Sequence, residues 1–198
     1  MLQRTNSRRS IAVLLGSVRR DRMGMRAAQL VVRELEARNH EVHLVDPLEL
    51  QLPLLDRMYK EHPTGEAPED LERLAQLYRS VDGFLIVSAE YNHGIPPALK
   101  NLLDHFLEEY FWRPSGIVSY SAGGFGGVRA AMQLRMTLAE LGMSSVPSIL
   151  PIPRIGQSID DDGVAIEPLV DRSAGRFLDE YLWYADALKQ ARYAGTPY

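Results

Sequence analysis

Ile11-Ala12-Val13-Leu14-Leu15-Gly16-Ser17-Val18-Arg19-Arg20-Asp21-Arg22-Met23-Gly24 is the stretch whose reading decides the fold. Its opening apolar run is far too short to cross a membrane and stops at a Gly-Ser turn, as a strand covered on both faces should. After the turn the period changes. Ala27, Leu30, Val31 and Leu35 recur at helical spacing, which predicts a helix over 24–38. A buried strand that passes through a short basic loop into an amphipathic helix is the first half of a βαβ unit, and hence of a parallel sheet.

The same alternation continues outward from this stretch. Short runs rich in Val and Ile at 42–45, 84–87, 117–120 and 146–150 predict four more strands, separated by helix-period segments at 69–79, 97–110, 126–141 and 168–189. Five strands with intervening helices read as a three-layer α/β fold: a doubly wound, five-stranded parallel sheet with helices on both faces. The count is one short of the six-stranded dinucleotide fold, so the expected strand order is the flavodoxin-like 2-1-3-4-5. Residues 1–9 are expected to form a flexible N-terminus, 10–192 a single domain and 193–198 a C-terminal tail. The proline-rich stretches 50–68 and 151–168 read as ordered surface loops.

Composition narrows the chemistry. A chain of 198 residues with 45% hydrophobic content can bury a sizeable core, and it contains no cysteine, which excludes disulfides, thiolate metal sites, iron–sulfur clusters and thiol nucleophiles. The 22 basic and 26 acidic residues give a net charge of -4, so no general attraction to nucleic acid or to an anionic membrane is expected. The absence of a long apolar run near the start points to the cytoplasm.

In sheets of this type ligands sit beyond the carboxyl ends of the strands, so the loops after the first, third and fourth strands should carry the function. The first holds Ser17, Arg19, Arg22, Met23 and Gly24: a small turn, a hydroxyl, two guanidinium groups and a helix start, which together suit a phosphate. A solvated basic turn would read the same way. The third-strand loop, Glu90-Tyr91-Asn92-His93-Gly94-Ile95-Pro96-Pro97, combines an aromatic body with amide groups, as a flat heteroaromatic ligand requires. An ordinary turn around a half-buried tyrosine is the competing account, and His93 lacks an evident acid or base partner. After the fourth strand, Ser121-Ala122-Gly123-Gly124-Phe125-Gly126-Gly127 is either a flexible turn or a place where backbone approaches a ligand closely. Neither a Walker loop nor a G-x-G-x-x-G fingerprint nor a G-x-S-x-G elbow occurs in these loops. With no reactive side-chain constellation, a bound cofactor is expected to supply the chemistry.

On Gly16-Ser17-Val18-Arg19 with Arg22 and Gly24, on Glu90 to Pro96 continuing through Ala98-Leu99-Lys100-Asn101-Leu102-Leu103-Asp104, and on Ser121 to Gly127, the sequence resembles the NADPH-dependent FMN reductases. That family includes flavodoxin-like quinone, azo-dye and chromate reductases. The resemblance implies FMN held by its phosphate at Ser17, Arg19, Arg22, Met23 and Gly24. Its ring would lie against Glu90, Tyr91, Asn92 and His93 on one side and Ser121, Gly123 and Gly124 on another. It implies hydride transfer from NADPH or NADH to FMN, then electron transfer to a quinone, an azo compound, free flavin or a similar acceptor in a ping-pong exchange. No catalytic side chain and no metal is implied. A homodimer or homotetramer packed through the helix 97–110 is also implied, where Tyr110-Phe111-Trp112 could equally belong to the chain's own core. An FMN-binding electron carrier, or a regulatory flavin-binding module without NAD(P)H oxidation, is the alternative. This chain departs from many members in having Arg22 and Gly24 in the first loop and Ala89 before Glu90.

Overall fold

The computed structural model describes residues 8–50 and 52–198; the expected flexible N-terminus lies, for residues 1–7, outside the described residues. Five strands, β1 (Ser10–Leu15), β2 (Glu41–Val45), β3 (Gly83–Ser88), β4 (Pro114–Tyr120) and β5 (Ser144–Ile152), form one parallel sheet in the order β2-β1-β3-β4-β5. The helices are α1 (Gly24–Ala37), α2 (Glu69–Ser80), α3 (Pro97–Asp104), α4 (Val128–Glu140), α5 (Ile155–Ser158) and α6 (Pro168–Ala194). Among the described residues no helix is long and apolar enough to cross a membrane.

The three layers follow from side-chain alternation along strands buried on both faces. Ile11, Val13 and Leu15 of β1 join Leu85, Val87 and Val118 in a core closed by α1 and α6. Ala12 and Leu14 point the other way, with Phe84, Ile86 and Ile117, into a core closed by α2, α3 and α4. Edge positions explain the two strands with mixed burial. In β5, Pro147 and Pro151 are tolerated because an edge strand has one unpaired side. The β4–β5 register shifts between Ser115 and Ile117, and Arg135 donates to the carbonyls of Val146 and Pro147 at this irregularity.

Several expected boundaries move. The helix expected over 97–110 ends at Asp104, and the chain reaches Tyr110 through a separate 3-10 turn, Glu108–Tyr110. Tyr110 is fully buried against Tyr78, Phe84 and Phe106. Helix α4 starts at Val128 rather than at 126, because Gly126 and Gly127 take φ of 63° and 73°, outside the right-handed helical region. At the other end, α6 continues to Ala194, and the Tyr198 ring packs on Trp112. Arg9 belongs to the fold: it is buried, its N–H donates to His40 Nδ1, and its side chain pairs with Asp186.

Register brings the loops together. Leu15 lies beside Val87, and Ser88 beside Ser119, so the chain leaves β1, β3 and β4 at one edge of the sheet. Gly16 is joined to this edge by its N–H, which donates to Val87 O at 2.8 Å.

Candidate functional site

The loop after β3 is a tight, strained turn. Tyr91 and Gly94 exchange backbone hydrogen bonds of 3.1 and 2.9 Å, and the two residues between them, Asn92 and His93, take φ of 50° and 66°. Two successive positive φ values at non-glycine residues cost energy and persist only where neighbours impose them. Gln133 of α4 does so, donating to His93 O and accepting from Ile95 N–H. Pro97 at the first position of α3 fixes the exit. The side chains of Asn92 and His93 are left exposed at the rim.

Glu90 faces away from this rim. Its carboxylate accepts from the backbone N–H groups of Arg129 and Ala130 at 3.0 and 3.3 Å and from Arg129 Nη1 at 3.0 Å, closing the first turn of α4. Burial pushes this carboxyl up, but the hydrogen bonds from Arg129 and the two backbone amides outweigh it and hold Glu90 below its ordinary value. A ligand on the rim would therefore meet Glu90 through its backbone.

In the first loop, Ser17 is buried and its hydroxyl lies 2.8 Å from that of Tyr91, which ties the first and third loops together. Arg22 donates to Ser17 O at 2.7 Å and grips Asp46, the residue after β2, with both arms of its guanidinium. Arg19 and Arg20 are exposed and have no ion-pair partner among the described residues. Gly24 answers to space: a Cβ there would collide with the Tyr120 hydroxyl. Burial pushes that hydroxyl up to about 12, so Tyr120 stays neutral. Met23 precedes α1 with its side chain half exposed, near Gly156 of α5.

The glycines of the fourth-strand loop fall into two pairs. Gly126 and Gly127 serve the turn into α4, since both have positive φ and a Cβ on Gly127 would lie 2.8 Å from Tyr120 O. Gly123 and Gly124 serve no internal contact of that kind: a Cβ on Gly123 would have nothing within 4 Å, and one on Gly124 would meet only Arg154 at 3.8 Å. Both are exposed, in the loop that leaves β4 beside the end of β3. Ser121 shapes the loop, donating from Oγ to Gly123 O at 2.9 Å and accepting from Gly126 N–H at 2.9 Å. Phe125 is exposed, with the Arg129 guanidinium 4.3 Å above its ring.

The three expected loops thus border one rim. Of their expected ligand groups, Arg22 and the carboxylate of Glu90 are turned to internal partners. Sequence reasoning missed Asp46, Tyr120 and Arg129. Asp46 carried a usable signal, a carboxylate at the carboxyl end of a strand adjacent to β1. Arg129 carried none, since it lies in α4, 39 residues from its partner Glu90. Among the described residues, no group of three His, Asp or Glu could hold a metal ion.

Comparison with known proteins bears on what such a rim serves. A family model described as NADPH-dependent FMN reductase matches residues 9–157. An NAD(P)H-dependent FMN reductase of Schizosaccharomyces pombe is 30% identical over 169 residues, covering 78% of this chain and 80% of that one. A quinone reductase of Pseudomonas putida is 32% identical over 140 residues, covering 68% of this chain and 72% of that one. The solved structure of FerB, a flavoenzyme NAD(P)H:(acceptor) oxidoreductase from Paracoccus denitrificans, superposes with a TM-score of 0.75 at 22% identity, covering 92% of this chain and 98% of that one, which supports the fold. Because the family match runs from β1 into α5 and so takes in all three rim loops, the chain belongs to the NADPH-dependent FMN reductase family, oxidoreductases that use NAD(P)H and FMN.

Proposed function

We propose that this protein binds FMN across the three rim loops, oxidises NADPH or NADH, and reduces a quinone, an azo compound, free flavin or a similar small acceptor in two separate half-reactions. The observation that carries this reading is a charge and shape match along one rim. Two exposed guanidinium groups that pair with no carboxylate among the described residues, Arg19 and Arg20, lie in one loop, and the exposed Gly123 and Gly124 lie in another. That donor set fits one phosphate and one flat ring, a mononucleotide, and the two glycines leave open the space beside their backbone that a Cβ would occupy.

Bound FMN would supply the hydride-accepting ring that no side chain of this protein provides. Arg19, with the Ser17 hydroxyl and the N–H groups at the start of α1, would hold the phosphate dianion. The strained turn from Tyr91 to Gly94 would present the Asn92 and His93 amides to the ring edge, and its stiffness means that little reorganisation accompanies binding. Backbone N–H groups of Gly123 and Gly124 would face negative charge on the ring. Assembly as a homodimer or a homotetramer belongs to the same reading.

The test is an absorbance spectrum of the purified protein mixed with FMN, before and after NADPH is added without oxygen. The expected result is bound flavin that bleaches, then regains its colour on addition of a quinone. Absence of flavin binding at excess FMN overturns the proposal. Flavin that binds but stays oxidised with both NADPH and NADH identifies an electron carrier or a regulatory module instead.

A further inference from the structure

We propose that Asp46 is a positioning residue for the cofactor phosphate: it holds Arg22 as an internal strut beneath loop 16–24, which orients the backbone of that loop and leaves Arg19 as its charged contact. The inference rests on the FMN reading above and deepens it.

The strut is a continuous chain of hydrogen bonds. Asp46 Oδ1 accepts from Leu48 N–H at 2.9 Å, which fixes the carboxylate at the end of β2. Both carboxylate oxygens then meet the two arms of Arg22, and Nη1 of the same guanidinium reaches on to Ser17 O at 2.7 Å. The pair is shielded from water, with side-chain exposures of 11% for Arg22 and 5% for Asp46. A two-pronged pair of this kind has a defined geometry that a single point contact lacks.

Two consequences follow. Withdrawing Arg22 toward a ligand would leave Asp46 as an uncompensated buried charge, so Arg22 stays where it is. Moreover, no described peptide bond is cis, and in a trans peptide the carbonyl and the following N–H point in opposite directions. Drawing Ser17 O inward onto Arg22 therefore aims the Val18 N–H outward, at the exposed side of the loop, where Val18 and Arg19 are accessible. Outward N–H groups beside a helix N-terminus are what an anion requires. On the other side, the Ser17 hydroxyl is located by Tyr91. Asp46 thus acts on the phosphate through Arg22 and Ser17, across 24 residues of sequence.

Comparing FMN with riboflavin, which lacks the phosphate, separates this role from general support of the fold. For Asp46→Asn, fluorescence titration is expected to show FMN affinity lowered by about tenfold with riboflavin affinity unchanged, since charge-assisted contacts to the phosphate are what is lost. An FMN affinity that is unchanged or raised overturns the proposal, the latter because it would mean a released Arg22 binds the phosphate itself. An equal loss for both ligands also overturns it, by reducing Asp46 to a folding residue. Should Asp46→Asn not fold, the double variant Arg22→Met with Asp46→Leu removes the strut while filling its volume with apolar groups, and the same selective loss is expected. Wild-type FMN affinity in the double variant overturns the strut. Failure of the wild-type protein to bind FMN would overturn the functional reading and the strut's role together.

Discussion

Arg19 and Arg22 stand three positions apart in one loop and face opposite ways. Arg22 is pinned between Asp46 and Ser17, whereas Arg19 is exposed. Replacing Arg19 should therefore cost binding without costing the fold: Arg19→Ala is expected to weaken FMN by about 1.5 to 3 kcal/mol, the range for a hydrogen bond to a charged group, with the melting temperature unchanged. Isothermal titration with FMN checks this, and an unaltered affinity would place the phosphate elsewhere. The division between the two arginines was not legible in the sequence. Composition shows a local basic cluster, but which arginine finds a carboxylate depends on β2 lying beside β1, which brings Asp46 under the loop. Gly24 makes a similar point. It reads as a ligand residue from its place before a helix, while the structure shows it making room for the Tyr120 hydroxyl.

At the scale of elements, what was legible is what burial alone dictates. Strands β1, β3 and β4 are covered on both faces and so appear as short runs rich in Val, Ile and Leu, and the expected sheet order followed from the count of five such runs. The segment 97–110 misled because apolar spacing continues past Asp104: Phe106 and Tyr110 are buried, but on an irregular stretch and a 3-10 turn rather than on α3. Capping across elements was likewise invisible, since Glu90 lies 39 residues before the Arg129 amide that it accepts from. That cap makes a prediction. Glu90 has a folded value lowered from an ordinary 4.5, so its charged form contributes stability that is fully present above that value and is lost as pH falls through the folded one. Against Glu90→Gln, the native protein should be more stable by about 1 kcal/mol near neutral pH, as for loss of a helix cap. The difference should shrink as the solution is acidified below about pH 4.5, where the carboxyl takes up its proton. Urea unfolding of both proteins across this range measures it, and a pH-independent difference would show that the Glu90 charge is not what holds the first turn of α4.

For the whole molecule, the apolar surface bears on assembly. Tyr110 was a candidate for a contact between copies, but it is sealed within the aromatic cluster of Tyr78, Phe84 and Phe106 and can offer nothing outward. Among the exposed apolar groups, three leucines cluster on the loop after β2: Leu54 is 85% exposed, Leu48 55% and Leu55 39%. Residues 53–55 of this loop are held in place. Asn101 of α3 accepts from Leu55 N–H at 2.9 Å and donates to Pro53 O at 2.8 Å, and His105 Nε2 lies 3.1 Å from the same carbonyl. A leucine held almost fully in water on a backbone braced against α3 is what a contact between copies would use, and it shifts the expected interface from the aromatic end of 97–110 to the outer side of α3 and its leucine loop. Light scattering at micromolar concentration is expected to give a dimer or tetramer of the 22.3 kDa chain. Leu54→Asp, which puts a charge on that face without touching a buried side chain, should lower the mass toward the monomer and leave the circular dichroism spectrum unchanged. A wild-type protein that runs as a clean monomer would remove the assembly from the proposed function, and a Leu54→Asp variant that keeps the wild-type mass would move the interface away from the leucine loop.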